Sequence, residues 1–167
     1  MKIGDLPTPA FVINRCAFAK NCCKAIEAAK QKNLRIRPHI KTHKTVQGCL
    51  LQVGGCTDLV TGFVASSVPE VAMLVKAADE HKGPFCDILY GVPISLSKLT
   101  IIEELRHCSG CRIHVIIDHI AQVAFINDFI LSKSGFRNTP HSVQISKASA
   151  SCSASYSFSA NAMLSPK

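Results

Sequence analysis

Short apolar runs of strand character alternate along this chain with amphipathic helical stretches, and that alternation restricts the fold more than any other feature. The strand-like runs are Leu34–Lys41, Asp58–Val64, Cys86–Val92 and Arg112–Asp118. Between and after them the pattern predicts helices: roughly Cys16–Lys32, capped by Asn14, then Val46–Val53, a helix opened by Ser67-Val68-Pro69-Glu70, Ser97–Arg106 and Ala121–Leu131. An earlier segment, Thr8–Ile13, is held extended by its prolines. Strands alternating with helices of this length form parallel βαβ units. Without a glycine-rich dinucleotide loop, four such units fit the first half of a (β/α)8 TIM-type barrel better than a Rossmann fold. The expected fold class is therefore α/β, a partial barrel of about four βα units.

A complete barrel takes about 250 residues, and this chain has 167. The rhythm covers residues 1–131. Residues 132–167 contain eleven serines and no acidic residue, so they are expected to be a disordered, low-complexity tail. A lead-in to a fifth strand, Asn138–Val143, precedes the serine-rich text, which suggests that the reading frame or splicing departs near residue 143. No apolar run reaches the length of a membrane span, and Met1–Asp5 lacks the form of a secretory signal. The expected location is the cytosol. The net charge of +8 comes half from the body, where fifteen Lys and Arg face eleven Asp and Glu over residues 1–128, and half from the acid-free tail. No basic stripe with interleaved aromatics exists, so neither a nucleic acid nor a membrane is the expected partner. Of nine cysteines, Cys16, Cys22, Cys23, Cys49 and Cys56 lie in or beside helical patterns and read as small hydrophobes. Cys108-Ser109-Gly110-Cys111 has redox or metal spacing but no second ligand pair, and reads as a turn between helix and strand.

The chemistry concentrates in Arg37-Pro38-His39-Ile40-Lys41-Thr42-His43-Lys44. On a strand, Arg35, Arg37, His39, Lys41 and His43 share one side, opposite Leu34, Ile36, Pro38 and Ile40. A barrel interior is normally filled by branched apolar side chains, so a wholly basic inner face calls for a ligand; the bland alternative is a strand with one wet face. Cationic neighbours favour a free lysine amine, a nucleophile for an aldehyde. Pyridoxal phosphate brings an aldehyde, an anion and an electron sink for a substrate carbanion. Lys41 stands at the C-terminal end of its strand, where barrel enzymes keep their sites.

That run, together with Thr8-Pro9-Ala10, Ser66-Ser67-Val68-Pro69-Glu70, Asp87–Ile94 and Val115–Asp118, resembles the D-serine dehydratase and D-threonine aldolase group. These are fold-type III pyridoxal-phosphate enzymes related to the alanine racemase N-terminal domain. The resemblance covers about residues 6–143 and makes Lys41 the Schiff-base lysine and base at the substrate α-carbon. His39, His43, Arg37 and Tyr90 are carried as cofactor-lining candidates, with Asp118 a weaker one.

The resemblance implies a lyase that eliminates water and then ammonia from a D-hydroxy amino acid such as D-serine. Retro-aldol cleavage of D-threonine and a non-catalytic cofactor-carrying barrel, or a pseudo-enzyme fragment, are the alternatives. It also implies a homodimer and a divalent metal, expected to be zinc, whose ligands belong to a C-terminal β-domain that the sequence does not contain. The phosphate-holding loops of later strands are likewise missing, so this polypeptide alone is expected to be inactive or nearly so.

Overall fold

The computed structural model describes residues 2–134 and 145–147. Among these residues lie five α-helices, four strands and two short 3-10 helices. The α-helices and strands are α1 (Arg15–Gln31), α2 (Val46–Val53), β1 (Phe63–Ala65), α3 (Val68–His81), β2 (Asp87–Pro93), α4 (Leu96–Ser109), β3 (Arg112–Ile117), α5 (Ile120–Ser134) and β4 (Ile145–Lys147). The local signals act where they stand. Asn14 Oδ1 accepts from Ala17 N–H at 3.0 Å to start α1, and Thr45 Oγ1 accepts from Gly48 N–H at 3.1 Å to start α2. Pro69 lies in the first turn of α3, where its missing N–H has no partner to lose.

The strands form one parallel sheet in the order β1-β2-β3-β4, which is also the order along the chain. Register places Val64, Leu89 and His114 side by side, flanked on the adjacent pairs by Phe63, Ile88 and Ile113 and by Ala65, Tyr90 and Val115. The period of two therefore divides the sheet into two faces. One carries Phe63, Ala65, Ile88, Tyr90, Val115 and Ile117, all buried, beneath α3, α4 and α5. The other carries Val64, Asp87, Leu89, Gly91, Arg112, His114 and Ile116, most of them only partly covered. The helix-side core, with Leu74 and Phe85 fully enclosed beside the strand residues, is the main source of stability; each large apolar side chain contributes about 1.5–3 kcal/mol.

Two expectations are corrected. The predicted strand Leu34–Lys41 does not form a continuous ladder. It runs along β1 through two bridges only, Ile36↔Val60 and His39↔Val64. Ile36 N–H donates to Leu59 O at 2.8 Å, Pro38 O accepts from Val64 N–H at 2.9 Å, and Ile40 N–H donates to Val64 O at 3.0 Å. Three steps on this run face four on its partner, a bulge, and Pro38 has no N–H to donate. Secondly, the rhythm continues beyond Ser132. Helix α5 extends to Ser134, and Ile145–Lys147 pairs with the edge that β3 presents. The rest of the serine-rich stretch, 135–144 and 148–167, lies outside the described residues, as does the expected lead-in at Asn138–Val143.

Candidate active site

Lys41 follows Ile40, the last residue of the run whose N–H bonds to β1. Ile40 is fully buried on the helix side, so the alternation sends Lys41 to the other face and to the exposed C-terminal rim. A tight turn closes behind it: Lys44 N–H donates to Ile40 O at 2.9 Å, and Lys44 takes a left-handed φ of +49°. For a residue with a Cβ such a conformation carries strain and persists only where its surroundings hold it.

Those surroundings are two imidazoles and one carboxylate. His39 Nδ1 accepts from Lys41 N–H at 3.1 Å, and His43 Nδ1 accepts from Thr45 N–H at 3.2 Å. A backbone N–H can only donate, so each neutral ring carries its proton on Nε2. His43 Nε2–H then donates to Gln52 Oε1 at 3.1 Å, and Gln52 Nε2 donates to His39 O at 3.2 Å. The residues on both sides of Lys41 are thereby tied to α2. His43 is buried, with Phe18 tilted against it at 5.3 Å. On its other side is Gly48: a Cβ there would lie 2.2 Å from Nδ1. His43 is thus a wedge under the turn, a structural part rather than a lining residue. It lies in the turn beyond the extended run, where the strand parity that groups it with Lys41 no longer applies.

Glu70 is 4% exposed at the start of α3. It accepts from Ser66 N–H at 2.8 Å and pairs with Lys44 Nζ at 3.4 Å. Burial alone would raise its pKa, but the Ser66 amide, Lys44 and the Ser66 and Ser67 hydroxyls together hold it below the usual carboxylate range. The two lysines of the motif therefore differ. Lys44 has an ion-pair partner, whereas among the described residues no carboxylate lies within ion-pair distance of Lys41 Nζ. His39 is pushed down from the ordinary histidine value, first by burial and then by the Lys41 charge, with Glu70 pulling the other way. His39 Nε2 lies 4.0 Å from the position of a Cβ at Gly91, and that Cβ would meet Val64 Cγ1 at 2.5 Å. Glycine at 91, in the irregular stretch of β2 between Tyr90 and Pro93, lets these groups close over the strand.

Arg37 and Tyr90 are elsewhere. Arg37 shares the face of His39 but sits at the opposite end of the sheet, where its guanidinium meets Asp87 at 2.6 Å. Asp87 also pairs with Arg112 at 2.9 Å and His114 at 3.0 Å. Burial opposes its charge, yet the His114 hydrogen bond and the two guanidinium groups keep the carboxyl below its ordinary value. Tyr90 pairs in register with Ala65 and Val115 on the helix side and is fully buried. It is a core residue, turned away from Lys41 because parity with Leu89 puts it on the other face. Asp118 lies at the rim beyond β3, its N–H bonded to Gln122 Oε1 at 2.8 Å. Sequence reasoning missed Glu70, Gln52 and Gly48 as parts of the site. Only Glu70 left a signal, the Ser-Ser-Val-Pro-Glu helix start.

The donor set around Lys41 is its own amino group, the His39 imidazole N–H and the Lys44 amino group, the last held by the Glu70 carboxylate. That suits an anionic aldehyde such as pyridoxal phosphate. The described residues do not suit a metal: no group of three His, Cys, Asp or Glu among them could hold one. No protein-family model matches the chain. It is 36% identical over 128 residues to a D-serine dehydratase of Schizosaccharomyces pombe, an alignment that takes in 76% of this chain and 29% of that protein. A D-serine dehydratase of Dictyostelium discoideum is 30% identical over 131 residues, 77% of this chain and 31% of that one. Among solved structures, D-threo-3-hydroxyaspartate dehydratase from Delftia sp. HT23 superposes with a TM-score of 0.69 at 24% identity, over 86% of this chain and 34% of that one. A variant of that enzyme is known in a metal-free form. The chain thus spans about a third of the length of the relatives it matches. Over that third, the chain is similar in sequence to the D-serine dehydratases and shares the fold of D-threo-3-hydroxyaspartate dehydratase.

Proposed function

We propose that this chain is the lysine-bearing part of a pyridoxal-phosphate-dependent dehydratase of D-hydroxy amino acids, with D-serine as substrate. The observation that carries the reading is the contrast between the lysines: Lys44 is tied to Glu70, and Lys41 has no such partner among the described residues. When bound, pyridoxal phosphate supplies an aldehyde for an amine and an electron sink for the substrate α-carbon.

Lys41 supplies that amine and then takes the proton from the substrate Cα. His39, kept neutral, offers Nε2–H to an acceptor beside Lys41. Glu70 holds Lys44, and with it the turn, at a fixed distance from α3. His43 and Gln52 keep the backbone on both sides of Lys41 from moving. The names of the relatives support dehydration over retro-aldol cleavage, since each is called a dehydratase. Phosphate contacts, a zinc ion and a second subunit belong, in this proposal, to groups beyond the described residues, and the enzyme works in the cytosol. Among the described residues no helix is long and apolar enough to cross a membrane.

The test is covalent and does not depend on turnover. The purified chain is mixed with pyridoxal phosphate, its visible spectrum recorded, and the adduct reduced with borohydride and mapped by peptide mass. Lys41→Ala abolishes the visible band and the label, whereas Lys44→Ala keeps the label on the Lys41 peptide. A label on Lys44, or an unchanged band in Lys41→Ala, overturns the assignment.

A further inference from the structure

Cys86 and Cys111 each stand immediately before a strand, Cys86 ahead of β2 and Cys111 ahead of β3. Asp87 pairs with Arg112, so the two cysteines each stand one residue before a paired position. Adjacent strands lie about 4.8 Å apart, and a disulfide needs its Cα atoms roughly 4.4–6.8 Å apart. Asp87 and Arg112 bond to each other across the face turned from the helices. Cys86 closes a 3-10 turn, Gly83–Cys86, and Cys111 follows the turn at Gly110, and it is their packing that puts both on the helix side. There Cys111 is 4% exposed in the core, and Cys86 is partly buried and packed against the same cluster. Both are free thiols.

The Cys108-x-x-Cys111 spacing does not describe this arrangement. Cys108 is exposed at the end of α4, and the chain then turns through Gly110 at φ +67° before Cys111 enters the core. The other thiol packed at the same cluster as Cys111 is Cys86, which precedes the neighbouring strand. Burial pushes the Cys111 thiol up in pKa, a Ser109 hydrogen bond opposes this, and Cys86 adds to the rise through charge and a hydrogen bond of its own.

We propose that Cys86 and Cys111 form a redox-modification site, a thiol pair that exchanges with a small-molecule disulfide to close a bridge between the starts of β2 and β3. Cys86, the more accessible, attacks as thiolate on one sulfur of the external disulfide; that S–S bond breaks, one small thiolate leaves, and a mixed disulfide forms. Cys111 then attacks Cys86 Sγ as thiolate, the mixed bond breaks, and the second small thiolate leaves. Two protein thiols lose two electrons and two protons, and one external disulfide becomes two thiols. Because Cys111 must deprotonate from a raised pKa, the second step is slow at neutral pH and accelerates as pH rises.

The full chain is incubated with oxidised glutathione over a range of pH, alkylated, and digested without reduction. A Cys86–Cys111 cross-linked peptide, forming faster at higher pH, is the expected result. Cys108→Ser closes at a rate within about twofold of the parent, and Cys86→Ser yields under about a tenth of any Cys111 cross-link. A Cys108–Cys111 cross-link, glutathione adducts without closure, or closure that does not speed up with pH overturns the proposal. If Cys86→Ser fails to fold, as read by circular dichroism, the map and pH series on the parent chain still decide it.

Discussion

Replacing Gly48 with alanine sets two calculable effects against each other. Gly48 lies in the first turn of α2, where alanine is favoured over glycine by about 1 kcal/mol on helix propensity alone. The new methyl, however, would sit 2.2 Å from His43 Nδ1, 2.6 Å from Cγ and 2.7 Å from Cε1. A buried ring cannot give way by more than an ångström and keep its contacts. Displacing it breaks the bonds to Thr45 N–H and Gln52 Oε1, each worth about 1 kcal/mol net. It also breaks the tilted Phe18 contact, worth about 1 kcal/mol. The propensity gain offsets only part of this, and Gly48→Ala is expected to destabilise the chain by about 2 kcal/mol. Urea unfolding followed by circular dichroism measures it. A cycle with His43→Ala isolates the cause: once the ring is gone, alanine at 48 should cease to destabilise and should help by its propensity. If Gly48→Ala stabilises the parent chain, His43 is not a wedge, and the account of how Lys41 is held fails. The same variant should also lose labelling of Lys41 by pyridoxal phosphate.

Asp87→Asn removes the carboxylate that Arg37, Arg112 and His114 share, leaving the half-buried Arg37 guanidinium without its partner while Arg112 stays in solvent; a loss of about 2 kcal/mol is expected in urea unfolding, and one under about 1 kcal/mol would show the cluster to be solvent-screened. Acid should weaken the fold. Glu70 and Asp87 titrate below their ordinary values in the folded chain, so their contribution is complete above the unfolded value of about 4 and is lost as pH falls through the lower folded values. His39, also depressed, contributes above its unfolded value of about 6.5 and loses that contribution as pH falls through its folded value. The urea midpoint should therefore decline from neutral pH downward and most steeply below about pH 4. Glu70→Gln and Asp87→Asn should flatten that decline, and a midpoint that rises on acidification would contradict the assigned charge states. Gly91→Ala should cost about 1–3 kcal/mol by pressing on Val64 and should lower Lys41 labelling further than an equally destabilising change in α4.

How far the site could be read from the sequence depends on how many residues of separation each inference had to span. Lys41 at the end of an extended run follows from local pattern, and so do the helix starts at Asn14 and Ser67. The sharing of a face by Arg37, His39 and Lys41 follows from parity within that run and survives the bulge, because the bulge lies on the partner's side. Parity failed where the run ended. His43, in the turn, is directed by Gly48 and Phe18 rather than by strand alternation. Tyr90 shows a different limit. Its parity with Leu89 is plain, but which of the two faces Lys41 depends on the pairing of Leu89 with Val64 and of Val64 with His39. Register between strands is set by packing, and no spacing within either strand encodes it. Arg37 illustrates both at once: it has the right face but the wrong end, since its partner Asp87 comes from a strand fifty residues on. The remaining basic positions of the run take counter-charges from neighbouring elements. Asp87 on β2 and Glu70 on α3, one at each end, are those counter-charges, and among the described residues they leave Lys41 as the amine of the motif without one.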